Sequence, residues 1–86
     1  MPCISQFFGI AIYLYYNEHY PPHFHAEYGG KEALYEIETL KVYAGKLSPR
    51  AHKLVREWAK LHRNELMNEW KHVRQGMQPK NIEPLE

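Results

Sequence analysis

Hydrophobic and polar residues alternate from Phe7 to Tyr16, with Phe8, Ile10, Ile12, Leu14 and Tyr16 on one side and Phe7, Gly9, Ala11, Tyr13 and Tyr15 on the other. This period of two predicts a strand with two rather apolar faces. Asn17 to Pro22 reads as a connection, because adjacent prolines remove two backbone donors and bias the preceding residue toward extended backbone. A second strand starts near His23. It sets Phe24, Ala26 and Tyr28 on the core face and His23, His25 and Glu27 on the opposite one, until Gly29-Gly30 turns the chain. The partner run is Glu32 to Glu38, with Ala33, Tyr35 and Ile37 inward, and Leu40 to Ala44 is a candidate fourth strand before Gly45.

The period then changes. Ser48 followed by Pro49 is a helix start, since the hydroxyl caps a free N–H and proline suits the first helical position. Gly76 ends the run after Arg74 or Gln75. At ~100° per residue, Ala51, Leu54, Val55, Trp58, Leu61, His62, Leu66, Trp70 and Val73 fall in one broad arc, the face expected on the sheet. Two prolines keep the tail after Gly76 extended, packed through Ile82 and Leu85. The expectation is one α+β domain over 1–86. It has an antiparallel sheet of three to four strands (7–47), one long helix on one face (48–75) and an extended tail (76–86).

With 86 residues there is room for one thin core, and a hydrophobic content of 44% fits a folded domain. A lone Cys3 excludes an internal disulfide framework. The N-terminus lacks the basic region and apolar stretch of a signal peptide or membrane span, so a cytoplasmic location and no membrane contact are expected. Net charge is +1, but it is unevenly spread: residues 1–47 hold three Lys against five Glu, residues 48–86 eight Lys/Arg against five Glu.

Chemistry concentrates at His19, His23 and His25, flanked by Glu18 and Glu27. Alternate strand residues lie ~7 Å apart, so His23 and His25 can converge on one metal ion, whereas His23 and Glu27 are ~13 Å apart. A complete site needs His19 folding back across the proline turn, plus a water or a carboxylate from the next strand such as Glu36. Two other readings stand beside the metal. The three histidines can act as metal-free acid/base or contact groups, the chemistry of metal-free RNA cleavage, or they can satisfy loop backbone groups.

On the helix, Lys53, Arg56, Lys60, Arg63, Lys71 and Arg74 fall within ~80° of arc opposite the core stripe. Such a stripe can follow a phosphate backbone or an acidic partner. Tyr13, Tyr15 and Leu34 share the outer sheet face with His23 and His25, too apolar a set for plain solvent, and are candidates for a protein interface. No Gly-rich phosphate loop, nucleophile elbow, Cys pair or strand-bound Ser/His/Asp pattern is present. No cofactor is therefore expected, a divalent metal at the histidines being the exception.

Met1-Pro2, Ile4-Ser5, Phe8-Gly9-Ile10, Tyr15-Tyr16-Asn17-Glu18-His19 and Pro21-Pro22-His23-Phe24-His25 resemble the bacterial family called domain of unknown function 4160. Gly45-Lys46-Leu47, Trp58, His62 to Leu66 and Ile82-Glu83-Pro84-Leu85 extend the resemblance over nearly the whole chain, Tyr20 being bulkier than the pattern has there. The resemblance implies a partner encoded by the adjacent gene and a toxin-like role in a type II toxin–antitoxin-like pair. It carries over no catalytic residue. The leading expectation is thus a toxin-like component acting on RNA. A non-enzymatic module docking a partner through its sheet face is the first alternative, and a metal-binding protein the second; either could self-associate.

Overall fold

The structure, a computed structural model, describes residues 2–86. The alternating run at the N-terminus is two strands, not one: β1 (Cys3–Phe7) and β2 (Ile10–Tyr13). Between them Phe8 (φ 49°) and Gly9 (φ 81°) both take left-handed backbone, and Phe7 pairs with Ile10. That is the geometry of a two-residue hairpin turn whose twist matches its strands. The turn puts Phe7 and Ile10 on one face, so Phe7 is buried and Phe8, expected to share a side with Ile10, is 50% exposed. Tyr16, expected on that same side, lies beyond the end of β2 and is exposed.

After a connection with a cis Tyr20–Pro21 peptide come β3 (His23–Tyr28), β4 (Lys31–Glu36) and β5 (Val42–Gly45). The five strands form one antiparallel sheet in the order β1-β2-β3-β4-β5. The expected three to four strands become five because the sheet begins at Cys3 rather than Phe7. Ile12, Ala26 and Ala33 make one row across the sheet, and Tyr13, His25, Leu34 and Ala44 make the next. The first row is fully buried and Tyr13, His25 and Leu34 are only half-buried, so one face is core and the other open.

The single long helix expected over 48–75 is two helices, α1 (Pro49–Leu61) and α2 (Arg63–Arg74). Ser48 caps α1 by accepting the Ala51 N–H at 3.2 Å. Neither Gly nor Pro marks the break at His62 (φ −122°, ψ 21°). There the His62 N–H reaches the Ala59 carbonyl three residues back, and Glu65 contacts His62 Nδ1 at 2.6 Å, three residues into the new helix. Trp58 packs between Phe7 (ring centroids 5.4 Å) and Phe24 (5.9 Å), joining α1 to the core face. Leu61, assigned to the core arc, is 69% exposed, because it stands at the margin of that arc and on the last residue of α1.

The tail is extended and docked. Ile82 is buried and its N–H donates to Ile4 O at 2.7 Å, while the Trp58 indole N–H donates to Glu83 O at 2.8 Å. Among the described residues no helix is long and apolar enough to cross a membrane.

Candidate functional site

The open sheet face collects the chemistry. Strand alternation puts His23 and His25 there, and the Tyr15–Pro22 connection folds Glu18 over them. Glu18 Oε1 lies 3.5 Å from His23 Nε2 and in short contact with His25 Nε2. The far nitrogens are also engaged: His23 Nδ1 is 2.8 Å from Pro21 O, and His25 Nδ1 is 3.2 Å from Glu32 Oε2. His23 is only 3% exposed, yet its Nε2 has no hydrogen-bond partner. The third member of the cluster is therefore Glu18. His19 is exposed and outside it, and neither Glu27 nor Glu36 supplies a ligand atom.

Aromatic rings wall the cluster. Tyr15 meets His25 edge-on at 4.4 Å, Tyr43 meets His23 edge-on at 5.3 Å, and Trp70 of α2 lies 5.2 Å from the His23 ring. The field here is negative. Burial and then the Glu32, Glu27 and Glu18 carboxylates raise the Tyr15 hydroxyl above its ordinary pKa. Burial with Glu18 and Glu36 does the same to Tyr43, and burial with Glu27 to Tyr13. Strand register gives this face Cys3, Gln6, Ala11, Tyr13, His23, His25, Glu27, Glu32, Leu34 and Glu36, with no Lys or Arg among them.

The basic stripe divides by residue type. Lys53, Lys60 and Lys71 are exposed. Arg56 instead donates to Leu40 O and Arg63 to Ile37 O, each at 3.3 Å, so both hold the β4–β5 connection. Arg74 donates to Glu18 O and lies over the Tyr20 ring at 4.8 Å, fixing the segment that carries Glu18. Three polar contacts lie outside the expected site residues: Tyr35 OH with His52 Nδ1 at 2.8 Å, and Glu69, which accepts from His72 and from the Lys80 N–H, each at 2.9 Å. The Tyr35–His52 and Glu69–Lys80 pairs are too distant in sequence to leave a local signal.

A five-stranded antiparallel meander, with helices packed on one face and a His/Glu/Tyr cluster on the other, defines a small α+β domain with an open sheet face. The chain belongs to the family described as a domain of unknown function, DUF4160, which matches it over residues 9–71. That span holds Glu18, His23, His25 and Trp70 and leaves β1, Arg74 and the tail outside. No curated protein and no solved structure is a match for the chain.

Proposed function

We propose that this domain is a docking module whose open sheet face takes a Lys/Arg-rich segment of a partner protein. The observation that carries the reading is the composition of that face: Tyr13, Tyr15, Leu34 and Tyr43 set among Glu18, Glu27, Glu32 and Glu36, with no cation in the registered rows. Tyrosine faces attract guanidinium and ammonium groups, and the carboxylates steer and orient them. In the toxin-like role implied by the resemblance, this face is where the adjacent gene's product binds.

The test is co-expression with that product, followed by size-exclusion chromatography at rising salt. A salt-sensitive complex is expected for the wild type and its loss for Glu27→Lys/Glu36→Lys, two changes that leave the core and the Glu18–His23–His25 cluster in place. A complex that survives the double substitution overturns the reading. RNA contact is the second reading. The exposed Lys53, Lys60 and Lys71 favour it, and the engagement of Arg56, Arg63 and Arg74 with carbonyl oxygens weakens it. RNA retained on a filter at low salt and released by substituting those three lysines would support that second reading.

A further inference from the structure

We infer that Glu18, His23 and His25 form a three-ligand site for one divalent transition-metal ion of the zinc class. The argument starts from where the protons are. A carbonyl oxygen only accepts, so the contact between His23 Nδ1 and Pro21 O requires the hydrogen on Nδ1 and leaves the lone pair on Nε2. His25 has a carboxylate at each ring nitrogen, Glu32 at Nδ1 and Glu18 at Nε2, so donation of the Nδ1 hydrogen to Glu32 makes Nε2 a ligand once the proton it shares with Glu18 is displaced. Two imidazole lone pairs and a carboxylate oxygen then converge, all within 4.8 Å of one another.

Three electron-rich atoms pointing together need a cation between them. A proton on His25 joins only the Glu18–His25 edge and leaves the buried Nε2 of His23 without a partner. Leaving a buried polar atom unpaired costs ~1–3 kcal/mol. An ion with bonds of ~2.0–2.2 Å satisfies all three atoms at once, and tetrahedral ligands at that radius stand ~3.4 Å apart. The Glu18–His23 separation of 3.5 Å already fits that edge. On ion entry the short Glu18–His25 contact is the one that opens.

The surroundings match those of ligating histidines, which hand their other ring N–H to a carbonyl or carboxylate. Here Pro21 O and Glu32 Oε2 fill both places. Two imidazoles with one carboxylate select a first-row ion of intermediate softness over calcium or magnesium, which take oxygen ligands. Three protein ligands leave a fourth position for water or an anion, and Tyr15 and Tyr43 adjoin the ligating rings. Arg74, through Glu18 O, is a positioning residue for the one ligand borne on a loop.

The rival occupant is a water bridging His23 Nε2 to the Trp70 indole N–H, which is also unpaired. The two are separated by titrating the chelator-treated full chain with zinc chloride in a calorimeter, and with cobalt(II) followed by its visible spectrum. One equivalent of zinc is expected with Kd of ~1 µM or tighter, together with a tetrahedral cobalt band. Glu18→Gln and His25→Ala should each weaken binding at least ~10-fold, and His19→Ala should leave it unchanged. His23→Ala removes a buried residue, so the partly exposed Glu18 and His25 carry the test. No saturable zinc binding below ~1 mM, or binding lost in His19→Ala and kept in Glu18→Gln, overturns the assignment. Partner docking is read separately by the Glu27→Lys/Glu36→Lys variant, so either conclusion can fail without the other.

Discussion

Gly45 is the position where the structure makes its sharpest energetic demand. Its φ is +76°, and a Cβ built there would sit 2.1 Å from Glu32 O and 3.0 Å from Ala33 Cα, all backbone of β4. Left-handed backbone costs an L-residue ~1–2 kcal/mol. The oxygen contact falls short of the closest real Cβ contacts by about 0.9 Å, so β5 must lift from β4. Lifting it strains the Lys46 N–H bond to Glu32 O, 3.1 Å long, worth ~0.5–1.5 kcal/mol. Gly45→Ala should therefore cost ~1.5–3.5 kcal/mol, against ~5–10 kcal/mol for a domain of this size. Gly30 supplies the control: its φ is +77° and nothing lies within 4 Å of its Cβ position, so Gly30→Ala carries the conformational cost alone. In urea unfolding followed by tryptophan fluorescence, with m ~1 kcal/mol/M, the Gly45→Ala midpoint should fall ~0.5–1.5 M further than that of Gly30→Ala. Equal midpoints would refute the claim that β4 backbone closes on Gly45.

Two further outcomes follow from the helices and the tail. Burial pushes the Glu69 carboxyl up, but the Lys80 N–H, the His72 ring and the charges of His72 and Lys80 outweigh it and hold the pKa below 4.5. A depressed folded-state pKa means the carboxylate stabilises the fold fully above about pH 4.5 and loses that contribution as pH falls through the lower folded value. Thermal melts of wild type and Glu69→Gln should differ at pH 6 and converge toward pH 3, and a constant difference would count against it. Trp58→Phe keeps most of the core volume but removes the indole bond to Glu83 O, at a cost of ~0.5–1.5 kcal/mol. Hydrogen exchange at the Ile82 amide, which donates to Ile4 O, should quicken more than exchange in β3; protection that stays unchanged would sever the indole from tail docking.

Much of the sheet is legible from alternation because a strand's faces are set by parity alone. His23, His25 and Glu27 opposite Phe24 and Ala26 is such a case. Parity fails at Phe8-Gly9, where the turn resets the phase, and no Asn-Gly or Asp-Gly pair announces it. The break at His62 is silent for a related reason: it rests on a side-chain contact with Glu65 rather than on Gly or Pro. The basic stripe is visible as a period, but Arg56 and Arg63 are committed by the β4–β5 connection lying within reach, which no helical wheel contains. Glu18 reads as a neighbour of the histidines. Its selection over His19 depends on the backbone path from Asn17 to Pro22, which residue spacing does not determine.

The meander order has a consequence for how the chain comes off the ribosome. Every strand pairs with the one made just before it, so the sheet can assemble as it emerges, with no long loop to close. The layer that shields it comes later: the roughly 40 residues from Gly45 to Ile82 take ~2–8 s to synthesise at ~5–20 residues per second. Until that layer is made and released, Phe24, Tyr35 and Ile12 lack the cover of Trp58, over whose indole the Glu83 carbonyl closes last. The nascent chain is thus most in need of a chaperone between the fifth strand and the tail.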